Sequence, residues 1–362
     1  MSEYRLPSVP GAVSRRRFLR GLGAATGGAL LGPALSLPAR AQDSLSGELI
    51  VSNWGGDWNS NVVKSLEQPE LESKGLTIRR DLASAPARKT KILAERNLPR
   101  GTIDVAHFTD ADAYELHLQD ALEELDYSRI PNAKHLLPGM QTPYFVPFDT
   151  SGVVIIYNTD RIKTPPTSFA DLMNPEYRGR VGLIEQIYFN YFFAFGLLDG
   201  GTMSNVEPAF EKLRELKRAV EPRIYPSHQQ AAAALASGEI WITANYNARA
   251  AQWKADGLPV AAAYPKEGAI AFSAGVCMPK RARNKDNAYH YLNAMLTPPV
   301  AHRLAESTYY AVPIDNANLP PDLASAVEFT PEQLQRVNHF DLAYTAKNQA
   351  AWLDWWSKEI KI

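Results

Sequence analysis

The sequence predicts an α/β protein built around two hydrophobic cores. Three observations carry that expectation. From Leu49 onward, short β-prone runs alternate with helical stretches over short links, the pattern of a doubly wound sheet. The 362 residues are 45 % hydrophobic and include one cysteine, Cys277. Stability therefore rests on burial, in a chain long enough for two cores. The stretch Trp241–Val276 reads as strand, Asn-Tyr-Asn cluster, short amphipathic segment, strand, Pro-Lys-Glu-Gly turn and strand. Loops this closely set between strands suit one wall of a ligand cleft and the approach to its hinge.

The first 41 residues stand apart from the fold. Ser14-Arg15-Arg16-Arg17-Phe18-Leu19-Arg20 precedes an apolar run holding Gly21, Gly23, Gly27, Gly28, Gly32 and Pro33, and Ala39-Arg40-Ala41 follows. These are the charged, apolar and small-x-small parts of a secretory signal, and the paired arginines before Phe-Leu fit the twin-arginine route. Cleavage is expected after Ala41, with a signal anchor as the alternative. The run is short and glycine-rich for a membrane span, and no other apolar run reaches that length, so no stable insertion is expected after cleavage. No strand precedes those glycines, which argues against a dinucleotide loop. The segment holds six arginines and one glutamate, so the remainder is more acidic than the chain's net −1. Such a surface has no electrostatic reason to bind nucleic acid or anionic lipid. One cysteine excludes an internal disulfide, a Cys-ligated iron–sulfur cluster and a Cys-based zinc site.

Strand 49–52 ends at Asn53-Trp54-Gly55-Gly56-Asp57-Trp58, at the carboxyl edge where α/β sheets bind ligands. Trp54 and Trp58 suit a flat apolar wall beside exposed backbone N–H groups, or else two core tryptophans. A helix over 58–73, strand 76–80, helix 88–95, strand 103–108 and helix 112–119 follow. Asp110 is either a ligand contact or a helix N-cap. Residues 144–158 form a long extended segment whose polar middle, Asp149-Thr150-Ser151-Gly152, suits passage between lobes. Thr167 or Ser168 caps a short helix ended by Pro175, and Gly179 turns the chain into strand 181–184. Glu185-Gln186 then opens an aromatic run, either a binding edge or a buried helix face with Glu185 as cap. Helices over 205–219 and 227–237, the latter closed by Gly238, lead to strand 240–244. Helices 287–296 and 300–307 precede Tyr309-Tyr310. A looser region at Pro320, Pro321 and Pro331 precedes closing helices over 333–361.

No reactive set points to an enzyme. The seven histidines lack metal-ligand spacing, and there is no nucleophile elbow and no P-loop. Carboxylates are too numerous for spacing alone to exclude a paired-carboxylate hydrolase. No ligand set for a cofactor is present.

Three segments are similar to the periplasmic spermidine/putrescine-binding proteins of ABC importers, within the bacterial extracellular solute-binding proteins. Thr167-Ser168-Phe169-Ala170-Asp171-Leu172 through Pro175-Glu176-Tyr177-Arg178-Gly179 resembles one family motif. Tyr264-Pro265-Lys266-Glu267-Gly268 resembles its "Trp-Pro-Lys-Glu-Gly" turn. Asn284–Glu306, with Tyr310 and Pro313, matches its late helical segment. The match runs collinearly from about residue 47 to the C-terminus. The resemblance implies a type II periplasmic-binding-protein fold: two α/β lobes joined by crossover strands near 149–154 and 272–277, with the ligand between them. Lobe 1 is expected over 42–150 and 276–335, lobe 2 over 151–275, and a C-terminal helix over 336–362 packing across both. It further implies a periplasmic monomer that delivers its solute to a permease with a cytoplasmic ATPase.

The ligand-binding residues implied by the resemblance and by position are Trp54, Gly55, Asp57, Thr109, Asp110, Ser151, Glu185, Asn245, Tyr246, Ser273, Tyr310 and Asp341. Trp54 and Tyr310 match family aromatics, Thr109 falls at a contacting serine, and Glu185 at one of two acids that grip ammonium groups. Asn245 replaces a cleft tryptophan and Ala274 an acid. An unpaired ammonium in a closed cleft is costly, so these losses favour a small amine-containing or zwitterionic solute over a long polyamine. The alternatives are a ferric-ion binder using Tyr309-Tyr310, and a non-transport solute sensor.

Overall fold

The structure, a computed structural model, describes residues 44–361. The export signal expected over residues 1–41 lies outside the described residues. The chain begins β1 (Glu48–Asn53), α1 (Gly56–Val62), β2 (Thr77–Leu82), α2 (Ala85–Glu95), β3 (Val105–Thr109) and α3 (Asp110–Leu118). The helix expected over 58–73 starts at Gly56 and passes at Val63 into a π-helical stretch, which carries Pro69 as far as Leu71. After β4 (Val146–Asn158) come β5 (Val181–Ile184), α4 (Tyr188–Gly196), α5 (Glu207–Val220), β6 (Arg223–Tyr225) and α6 (His228–Ser237). Then follow β7 (Ile242–Tyr246), α7 (Asn247–Ala255), β8 (Val260–Ala263) and β9 (Ile270–Cys277). The described chain closes with α8 (Lys285–Ala294), α9 (Pro298–Thr308), α10 (Pro321–Val327), α11 (Pro331–Leu334) and α12 (Leu342–Glu359). The proline-marked region is therefore two short helices, each started by a proline whose missing N–H costs nothing at that position.

The strands form one sheet in the order β2-β1-β3-β9-β4-β7-β5-β6, with β8 beside β4. Each flank is parallel: β1 with β2 and β3, and β5 with β6 and β7. The centre is antiparallel, where β9 pairs with both β3 and β4, and β4 also pairs with β7. Parallel flanks follow from strand–helix–strand units, whereas the two central strands run through the sheet without a crossover helix.

The two largest hydrophobic clusters divide along this line. One gathers Leu49, Val51, Val105, Phe148, Val276 and Tyr291. The other gathers Ile155, Val181, Tyr191, Phe195, Leu213 and Trp356. β4 contributes Val146 and Phe148 to the first, and Val153 and Ile155 to the second. The register with β9 shifts between Pro147 and Asp149, where the strand passes from one cluster toward the other. Helix α5 shows why its residues fold as they do. Ala209, Leu213, Leu216 and Val220 recur at helical spacing and are all buried. Each larger member contributes about 1.5–3 kcal/mol of burial. Helix α12 packs against both α3 and α4. Its Trp356 is fully buried and stacks on Tyr191 with centroids 5.6 Å apart.

Two of the motif segments form one clamp. Ser168 caps the short helix Phe169–Met173 in a capping box with Asp171. The Glu267 carboxylate accepts from Ser168 Oγ at 2.6 Å and from the Phe169 N–H at 3.2 Å, and the Lys266 N–H donates to the Thr167 carbonyl. Gly268 has φ +90, and a Cβ there would stand 1.8 Å from the Arg336 carbonyl oxygen, so glycine is required. These residues hold structure rather than form a ligand surface.

Candidate functional site

The central strands bring a set of polar and aromatic side chains together. Across β4 and β9, Asp149 stands opposite Ala274, Thr150 opposite Ser273 and Ser151 opposite Phe272. Across β4 and β7, Val154 stands opposite Asn245 and Val153 opposite Tyr246. β7 runs two residues further than the 240–244 expected, so Asn245 and Tyr246 belong to the strand and are both buried. Helix α7 begins at once, with Ser151 Oγ accepting from the Ala248 N–H at 3.3 Å.

Aromatic rings line this place. Tyr246 and Phe272 lie 4.2 Å apart between centroids, Phe272 and Tyr310 5.5 Å, and His228 and Tyr246 5.5 Å. The Arg249 guanidinium lies 5.7 Å from the Tyr310 ring centre. Such π-faces attract a cation, most strongly where water is excluded.

Among them are polar atoms without partners. Asp149 Oδ2, Asn245 Nδ2, His228 Nδ1 and Arg249 Nε are buried with no hydrogen-bond partner. Buried polar atoms are ordinarily satisfied, so four orphans around one aromatic group mark a place shaped for something else. Asp149 Oδ1 accepts only from the Ala274 N–H, at 3.3 Å. Burial pushes the Asp149 carboxyl up to about 8, with its Ala274 bond and the charge of Arg249 opposing. Burial lowers His228 to about 3, and the positive charge of Arg249 adds to that, so its ring is neutral. Tyr310 and Tyr246 are both raised by burial.

The other flank supplies Trp54 and Asp110. Trp54 is half-buried, with Arg88 4.8 Å over its ring and the Trp58 and His107 rings meeting it nearly edge-on. Trp58 is packed against the first core. Thr109 stands opposite Ala274 across β3 and β9, and its Oγ1 caps α3 by accepting from the Asp112 N–H. Asp110 is partly exposed by surface area, yet the protein packed around its carboxyl pushes it up to about 7 against the Ala111 N–H bond. Its charge also acts on Tyr246, which ties it to the aromatic group.

Several residues expected at the site are committed elsewhere. Glu185 forms an ion pair with Lys361 at 2.6 Å. Asp341 caps α12 by accepting from the Tyr344 N–H, and its other oxygen accepts from Ser204. Asp57 is exposed in the first turn of α1, where a carboxylate suits the helix dipole. The Gly55 N–H is not an open donor, since it bonds Asn53 Oδ1 at 2.8 Å. Ser273 Oγ donates to the Asp149 carbonyl at 3.4 Å. Sequence reasoning missed Arg249, Asp149, His228 and Phe272 as site members. The spacing of Tyr246 and Arg249, three apart across the strand-to-helix junction, was the available signal.

Two surface hollows lie away from this constellation. One of about 460 Å³ is lined by Ser168, Met173, Lys212 and Glu267, and one of about 540 Å³ by Arg100, Lys280, Arg281 and Lys285. Neither holds an unpartnered buried polar atom, and Lys280 and Lys285 already pair with Asp120 and Glu123. Among the described residues there is no group of three or more His, Cys, Asp or Glu placed to hold a metal. No described helix is long and apolar enough to cross a membrane.

The parallel flanks joined by central antiparallel strands are a type II periplasmic-binding-protein fold. The chain belongs to the bacterial extracellular solute-binding proteins, whose family pattern it matches over residues 65–331. It is 27 % identical over 241 residues to the spermidine/putrescine-binding periplasmic protein of Escherichia coli (strain K12), covering 63 % of this chain and 66 % of that protein. The match thus spans just under two thirds of the relative's length. A solved GABA receptor aligns with a TM-score of 0.76 at 22 % identity, over 87 % of this chain and 98 % of that one. The spermidine/putrescine ABC transporter substrate-binding protein PotD of Streptococcus pneumoniae aligns with a TM-score of 0.68 at 21 % identity, over 85 % and 98 %.

Proposed function

We propose that this chain is the periplasmic solute-binding component of an ABC importer, capturing a small amine-containing solute between two lobes and delivering it to a membrane permease. The carrying observation is Asp149: a buried carboxyl with an unpartnered oxygen, whose charge acts on Tyr310 in the group of Tyr246, Phe272 and Tyr310. A carboxylate with aromatic faces is what a desolvated ammonium needs. The named relatives, a spermidine/putrescine-binding protein and a GABA receptor, support an amine. The change of core along β4 supports lobes of 42–150 with 276–335 and of 151–275, with residues 336–362 packing across both. Closing the lobes would desolvate the solute and complete its contacts. Export by the twin-arginine route remains part of this reading.

The ferric-ion alternative is opposed by Arg249, a cation beside the Tyr310 ring. A thermal-shift panel of monoamines, polyamines, amino acids and ferric citrate tests the proposal. A bound solute at about 100 times its Kd adds roughly 2.7 kcal/mol of stability. A shift with ferric ion and none with any amine would overturn it.

A further inference from the structure

We infer that the solute carries a carboxylate or comparable anionic oxygen group beside its amine, and that Arg249 and Asn245 receive it. This deepens the amine reading and rests on it. Arg249 lies in the first turn of α7, directly after the buried strand β7. Its Nη1 donates to Gln252 Oε1 at 2.8 Å, while its Nε is buried without a partner. The fold pairs several other arginines with carboxylates. Arg80 is paired with Glu67 and Glu72, Arg303 with Glu70, and Arg214 with Glu359. Arg88 gives both terminal nitrogens to the carbonyls of Ala83 and His107, although its Nε, like that of Arg249, has no partner. Leaving a guanidinium N–H dry and unpaired is costly, and the planar fork matches a carboxylate better than any other common partner.

The donors and the acceptor come from different elements. Arg249 Nε and Asn245 Nδ2 are both N–H donors without a well-formed hydrogen bond, the Asn245 amide lying beside His228 and the Arg249 guanidinium beside the Tyr310 hydroxyl. The Asn245 amide is oriented by its own oxygen, which accepts from the Tyr246 N–H at 2.8 Å. Asp149 Oδ2 is the orphaned acceptor, on a different strand. Tyr246, Phe272 and Tyr310 lie among them. The site therefore offers N–H groups and positive charge from β7 and α7 and a carboxyl oxygen from the neighbouring β4, around shared aromatic faces. A ligand with two cationic ends would set one of them against Arg249. A zwitterion satisfies both Arg249 and Asp149, and Arg249 disfavours a diamine by repulsion as well as by lost attraction.

The test is calorimetric titration of the full chain with matched sets of ω-amino acid, monoamine and diamine of the same carbon number, alongside α-amino acids and plain carboxylates. An amino acid is expected to bind at least about 100-fold more tightly than its matched monoamine or diamine. Arg249→Gln is expected to lose about the same factor for the amino acid and to leave the diamine unchanged or improved, and Arg249→Lys to recover part of the loss. Ligand-free melting of both variants shows that they are folded. A monoamine or diamine that binds as well as its amino acid, with Arg249→Gln without effect, overturns this inference and leaves the amine reading standing. A carboxylate that binds without any amine, through Arg249, overturns the amine reading and keeps the anion subsite. Binding of nothing in the panel overturns both.

Discussion

Asp149 and Arg249 act on one another's charge without bonding: Asp149 Oδ2 and Arg249 Nε are both buried, and neither has a partner. Had they paired, each would have spent its hydrogen-bonding capacity on the other. Held apart, both stay open to a third molecule, and the empty protein bears the cost of burying them unpaired.

That cost has a pH signature. The folded Asp149 carboxyl is raised from its ordinary 3.8 to about 8, so the folded state holds an extra proton between those values. Stability therefore falls as pH rises through that window. Asp149→Asn cannot ionise. Its melting temperature is expected to match the parent near the acid end and to exceed it by several degrees at the alkaline end. Melting curves of both proteins across the window check this, and parallel curves would sink it.

Trp54 and Glu185 are expected to separate in binding assays. Trp54 is half-buried and held by Arg88, His107 and Trp58 with part of its surface open. Trp54→Ala is expected to weaken solute binding by about tenfold or more, at the scale of a lost aromatic contact. Glu185 is engaged by Lys361, and both side chains are partly exposed. Glu185→Gln is expected to cost about 1 kcal/mol or less and to leave affinity nearly unchanged. Titration and urea unfolding of each variant read the two effects; a large affinity loss in Glu185→Gln would return it to the site.

Helix α12 is expected to anchor the second core. Trp356 is fully buried, stacked on Tyr191 and tilted against Tyr188. Trp356→Ala is expected to destabilise by about 3–5 kcal/mol, the range for emptying a large aromatic site. Urea denaturation followed by circular dichroism measures it, and a loss below about 1 kcal/mol would mean the helix is dispensable.

The order of strands and helices was legible because each is written locally, in periodicity, caps and turn residues. Ser168 with Asp171, and Gly238 with its φ of 72, are signals read within a few residues. The site was legible only where a strand ends, which is how Asn245, Tyr246 and Tyr310 came to notice. In sequence Glu185 looks like a free carboxylate because its partner Lys361 lies 176 residues away, and Asp341 because one of its two partners, Ser204, lies 137 residues away. Asp149 is hidden in the middle of a strand, beside a register shift that sequence does not announce. Arg249 resembled any charge on a short helix, since only tertiary burial distinguishes a dry guanidinium from a solvated one.

The lone thiol has a use as a clock. Cys277 stands opposite Ala106 across β3 and β9, has no exposed surface, and donates from Sγ to the Ala106 carbonyl at 3.5 Å. Burial raises it to about 12, so the reactive thiolate is scarce. A thiol reagent must wait for those two strands to part, and with one cysteine in the chain every label counts one parting. The labelling half-life of the unaltered protein is expected to lengthen with added solute by the factor 1 + [solute]/Kd. Equal half-lives with and without a solute that raises the melting temperature would show that these strands part independently of the ligand.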